Sequence, residues 1–158
     1  MAVTVTYLLA GSGWSDCYIA IGDHSAHLTA SYLSDALGDL VRSMVDLFGD
    51  ATESTAWFAE EPGEYLWRFR RVPPDRVSVR ILWFDDTPTD ADAEGGKVVL
   101  AAECRLRTLA GAILAAAQEV HRQHGEEGYL QRWHDHGFPT ELVARLKSLL
   151  DDGAGRSE

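Results

Sequence analysis

Positive charge is scarce in this chain. Fourteen lysines and arginines stand against twenty-five aspartates and glutamates, giving a formal net charge of −11 at neutral pH. Nucleic-acid binding rests on a basic footprint that neutralises phosphates, so no nucleic-acid partner is expected. A basic protein partner is permitted, because an acidic surface steers association with one. Cysteine is equally sparse. Cys17 and Cys104 lie far apart, each inside a strand-like segment, and read as buried thiols rather than as a bridge or a ligand pair. No apolar run approaches the roughly 18 residues that a membrane helix requires. The opening MAVTVTYLLAGSGW carries no basic region ahead of its apolar stretch and alternates like a strand, so it does not read as a secretory signal. No membrane association and a cytoplasmic location are the expectations.

Catalytic and cofactor motifs are missing too. Ser12 in GSGW lacks the G-x-S-x-G elbow and its strand-to-helix setting, and neither a P-loop nor GxGxxG occurs. His121 and His124 are three apart, and His134 and His136 flank Asp135, without the i, i+4 pairing that zinc takes on a helix. His24 and His27 would fall on opposite faces of an extended segment. All six histidines are expected to be structural or on the surface, and no cofactor or metal is expected.

What is present is the composition of a folded globule: 46% apolar and 25% charged residues. A chain of 158 residues is one domain's worth and buries roughly 68–70% of its unfolded surface. A single domain over 1–152 is expected, followed by a disordered tail, GAGRSE, over 153–158. Alternating, β-branched segments predict strands at 3–9, 16–22 and 24–30, and again at 53–60, 64–72, 76–84 and 97–104. Between the two groups, SDALGDLVRSMVDLFGD has helical period, with Ser34 as its expected cap, Asp35 in its first turn and Gly49 at its end. After 105 three helices are predicted: one stopped by Gly125, a short one carrying Tyr129 and Trp133, and a last one capped by Thr140. The order βββ-α-ββββ-ααα implies an α+β fold, with an antiparallel sheet of about six to seven strands and helices packed on one face.

Strand alternation then sorts the side chains. In GEYLWRFRRV one face carries Tyr65, Trp67 and Phe69, expected in the core. The other carries Glu64, Leu66, Arg68 and Arg70. In RVSVRILWF, Arg80 falls on the same outer face, and Glu103 of the next strand is a candidate cross-strand partner worth roughly 0.2–1 kcal/mol. A local basic patch of Arg68, Arg70 and Arg80 is thus expected on an acidic protein. It could hold an anion or an acidic strip of a partner.

Glu60, Glu61 and Glu64 flank Pro62-Gly63, which fits the centre of a type II turn. Solvated carboxylates at such a turn keep ordinary pKa values and suit general acid–base work poorly. Asp85 and Asp86 end a strand and open an acidic run that includes Asp90 and Asp92. With Glu60 or Glu61 they could gather a divalent cation, but the calcium-loop spacing is absent.

TASYLSDALGDLV, EEPGEYLWRFRR, RILWFDD, GEEGYLQRW and GFPTELVARL together resemble a group of small actinobacterial proteins of unknown function, over most of the chain. The resemblance implies no catalytic residue. In size and acidity the chain also resembles immunity proteins of bacterial toxin systems. The leading expectation is a non-enzymatic protein-binding module, in its sharpest form an immunity-like inhibitor of a basic partner. Its candidate contacts are Glu60, Glu61, Glu64, Arg68, Arg70, Arg80, Asp85, Asp86, Asp90 and Asp92. The alternative is a small enzyme or ligand-binding protein with a pocket of Trp57, Trp83, Asp85 and Asp86 at the sheet edge. A homodimer joined through an edge strand is compatible with either.

Overall fold

The computed structural model describes residues 1–86 and 95–156. Among the described residues seven strands form two antiparallel meanders. β1 (Val3–Leu9), β2 (Trp14–Ile21) and β3 (His24–Ser31) make a three-stranded sheet; β4 (Glu53–Ala59), β5 (Glu64–Val72), β6 (Arg76–Phe84) and β7 (Lys97–Arg105) make a four-stranded one. Between them runs α1 (Ala36–Phe48), and α2 (Leu106–Trp133) and α3 (Thr140–Arg156) complete the chain. The fold is α+β.

The expected single sheet is corrected to two, and α1 supplies the reason. This helix packs along β4 and occupies the hydrogen-bonding edge that β3 would need. The Asp39 carboxylate accepts from Trp57 N–H at 3.0 Å, the Ser34 hydroxyl accepts from Ala59 N–H at 3.0 Å, and the Ser43 hydroxyl donates to the Thr55 carbonyl at 3.0 Å. Three backbone groups of an edge strand are thereby satisfied by side chains instead of by another strand. β3 still passes close to β4 and β7, without a ladder to either.

Ser34 is therefore not the α1 cap. Asp35 is, its carboxylate accepting from Gly38 N–H at 3.3 Å. The first two helices expected after β7 run together as α2, and they meet at a kink where Gly125, at φ 65° and ψ 178°, is not helical, a conformation that a residue without Cβ adopts cheaply. α3 continues to Arg156; Ser157 and Glu158 lie outside the described residues. At the β4–β5 turn the Glu61–Pro62 peptide is cis, Gly63 takes φ 97°, and Glu60 N–H donates to the Gly63 carbonyl at 2.9 Å.

One hydrophobic core serves both sheets. Tyr7, Cys17, Ile19, Ile21 and Leu28 come from the first; Phe58, Trp67, Phe69, Val77, Val79 and Ile81 come from the second. Leu40, Met44, Leu109, Ile113, Val120, Tyr129, Trp133 and Leu146 come from the helices. The Tyr7 and Phe58 rings meet edge to face across the sheets at 6.4 Å. Trp133 is fully buried, and its indole N–H donates to the Ser34 carbonyl at 3.0 Å, tying the end of α2 to the start of α1. Trp67 and Phe69 take the core positions that strand parity predicts. Tyr65, on the same face but nearer the sheet end, is only half-buried.

Candidate functional site

The side of the four-stranded sheet opposite the shared core can be read row by row from its register. Thr55, Arg68, Arg80 and Ala101 stand across from one another, and the next row is Glu53, Arg70, Ser78 and Glu103. On the other side of the arginines, Trp57, Leu66, Leu82 and Val98 form an apolar row. Leu66 and Leu82 are 0% and 4% exposed, so this face is not simply wet; it carries a buried apolar strip of its own.

The two arginine-bearing rows frame a groove of about 460 Å3. Arg68, Arg70 and Arg80 line it from β5 and β6, and Ser54, Thr55, Ser78 and Glu53 add polar groups. A fourth arginine, Arg42, reaches it from α1. Its guanidinium donates to Asp39 Oδ1 at 2.6 Å, while the other oxygen of Asp39 holds the β4 backbone. One carboxylate thus both seals the strand edge and positions a cation at the groove. Arg70 and Arg80 are exposed, and neither makes a hydrogen bond or ion pair among the described residues. Glu103 does not join them: it accepts from Arg76 Nε at 2.7 Å.

Among the described residues four guanidinium groups and one glutamate line the cleft; Arg42 is paired with Asp39, and Arg70 and Arg80 carry donors without a partner, on a protein of net charge −11. A guanidinium offers five N–H donors and no acceptor, so what this groove can do chemically is bind oxyanions. The strand parity of β5 and β6 identified three of the arginines. Arg42 was missed because α1 was read for its apolar face; the signal was the i, i+3 pair Asp39 and Arg42 on the polar one.

The acidic candidates gather elsewhere. Glu64 is across from Phe84 in the register, so the β4–β5 turn and the end of β6 share one end of the sheet, bringing Glu60, Glu61 and Glu64 to the same end as Asp85 and Asp86. Glu60 is engaged there, accepting from Thr29 Oγ1 of β3 at 2.6 Å. Asp90 and Asp92 lie outside the described residues.

The alternative pocket does not assemble. Trp57 stands in the row of Leu66 and Leu82, whereas Trp83 follows Leu82 and points to the other face. Trp83 packs against Tyr65, ring centres 4.7 Å apart, and its indole N–H donates to Asp85 Oδ1 at 2.9 Å. The shallow hollow beside it is lined by Tyr65, Lys97, Val98 and Val99, without Trp57, Asp85 or Asp86.

The histidines are dispersed. His121 lies against Phe138 with ring centres 5.0 Å apart, and burial and Arg132 hold the His124 imidazole below its ordinary pKa. His134, at the C-cap of α2 with φ 73°, shares a 2.9 Å hydrogen bond with Ser12. Among the described residues no three His, Cys, Asp or Glu side chains gather to hold a metal ion, and no helix is long and apolar enough to cross a membrane. Both thiols are buried, and burial pushes Cys17 up to about 12 and Cys104 upward.

No family model and no curated protein matches the chain. Among solved structures it is similar to a chain of the CdiA-CT/CdiI toxin and immunity complex from Enterobacter cloacae, at 12% identity over 73% of this chain and 99% of that one, with a TM-score of 0.44.

Proposed function

We propose that the protein is a non-enzymatic binding module that docks another protein through the outer face of its four-stranded sheet. The observation that carries this reading is the groove in which Arg42, Arg68, Arg70 and Arg80 stand together. Clustered arginines on an open sheet face match the chemistry of an acidic protein segment, which they grip by bidentate, charge-assisted hydrogen bonds.

A narrower form, immunity-like inhibition of a basic partner, draws on a second observation. Glu60, Glu61, Glu64, Asp85 and Asp86 collect at one end of the same sheet, where they would meet and steer a basic surface. The two forms separate by mutation. In capture from host lysate at low and high salt, wild-type protein should retain one stoichiometric partner that high salt releases. Arg70→Glu with Arg80→Glu should lose it under the first form. Asp85→Asn with Asp86→Asn and Glu61→Gln should lose it under the second. Retention of the partner by both sets of variants would place the docking surface elsewhere and end the proposal.

A further inference from the structure

Resting on the docking reading above, we infer that the arginine groove is a phosphoryl-recognition site, whose occupant is a phosphorylated side chain in an acidic segment of the partner protein. The argument starts from register. Arg68 and Arg80 are directly opposed on neighbouring strands, and Arg70 is diagonal to Arg80. Directly opposed side chains on one face have Cβ atoms about 4.5–5.5 Å apart and diagonal ones about 7–8 Å, and like charges so placed are unfavourable. An anion between Arg70 and Arg80 reverses the sign. A carboxylate offers two oxygens and one charge, which a single guanidinium fork satisfies. Arg70 and Arg80, neither of which makes a hydrogen bond or ion pair among the described residues, already exceed that requirement. A phosphoryl group brings a charge of about −1.5 to −2 and three acceptor oxygens, enough to engage several guanidinium groups at once.

The rest of the lining agrees. Ser54, Thr55 and Ser78 contribute hydroxyls that can donate, and among the described residues lining the groove Glu53 is the one acidic side chain, set directly across from Arg70. Arg42 is already oriented by Asp39, so part of the ordering cost is met before binding. The openness of the site selects a macromolecular carrier over a free metabolite. Small-ligand pockets bury about 70–90% of their ligand, whereas Arg70 and Arg80 here lie exposed on a sheet face. Such a face suits a side chain presented on an extended segment, as arginine clusters use in phospho-motif recognition.

The test titrates the full chain with three probes at fixed ionic strength: inorganic phosphate, an acidic peptide carrying one phosphoserine, and the same peptide with glutamate in its place. The phosphopeptide should bind at least about tenfold tighter than the glutamate peptide, about 1.4 kcal/mol, because the phosphoryl group engages more guanidinium donors than a carboxylate can. Arg70→Ala and Arg80→Ala should each erase that preference. Arg80→Lys, which keeps the charge without the planar fork, should retain only part of it. Both positions are exposed, and circular dichroism would verify that the variants fold. Equal affinity for the two peptides overturns the phosphoryl assignment but leaves acidic-segment docking standing. Phosphopeptide binding no tighter than that of inorganic phosphate overturns the partner-borne segment and leaves a free phosphorylated molecule. Failure of all three probes removes the phosphoryl site, and the lysate capture then decides docking by itself.

Discussion

Asp35 shows how much one side chain can carry. It caps α1, yet it is partly buried, and that burial raises its pKa; Asp39 pushes the same way, while His136, the Gly38 N–H and Arg42 oppose it. A folded-state pKa above the unfolded value of about 3.9 means that the unfolded chain releases its proton first as the pH rises. Stability contributed by the protonated form is therefore complete below that value and lost as the pH climbs through the folded pKa. Asp35→Asn keeps an oxygen for the Gly38 N–H and removes the charge. The variant should melt above wild type at pH 7, and the two should converge below about pH 3.9. A constant difference across that range would show that the charge of Asp35 is not what matters. Sequence alone placed Asp35 in the first turn but gave the cap to Ser34. Either residue type caps a helix well, and only the position of β4 shows that the Ser34 hydroxyl is needed elsewhere.

Among the elements, α1 does more than cover the core. Its polar residues act as a substitute strand for β4, and Asp39 has a fully satisfied carboxylate: one oxygen on Trp57 N–H, the other on Arg42. Asp39→Ala leaves a strand N–H without its partner and should cost about 1–3 kcal/mol, measured as a lower denaturation midpoint. An unchanged midpoint would mean that solvent replaces the carboxylate at no cost. The strands themselves were legible to within about two residues, because period-two alternation is a local signal that one buried face imposes. Their division into two sheets was not. Both meanders alternate equally well, and which edges pair is decided by where a helix docks, which is non-local. The same distinction governs the site. Arg68, Arg70 and Arg80 followed from parity within adjacent strands, Arg42 required the helix–sheet packing, and the separation of Trp57 from Trp83 required the register across three strands.

On the scale of the whole molecule, the two sheets share one core, and each carries one cysteine: Cys17 on β2 and Cys104 on β7. At 0% and 1% exposure neither thiol is accessible in the native state. Labelling at pH 8 should be negligible without denaturant and should then rise for both cysteines along one curve, the signature of a single cooperative unit. Earlier labelling of either thiol would show that its sheet opens separately. The combination of net negative charge and a local positive groove also belongs to this scale. The overall field repels anions at a distance, so selectivity for one must come from contact geometry within the groove rather than from long-range attraction.

The seal that α1 places on β4 has a bearing on assembly. A ribbon of strands grows into a fibril only if each copy offers two open sides, one to receive a neighbour and one to pass the pairing on. With its β4 side closed, the four-stranded sheet has, among the described residues, only the β7 edge through which another copy could be added. Two copies meeting there would exhaust the available pairing, and growth of that sheet would stop at a closed pair.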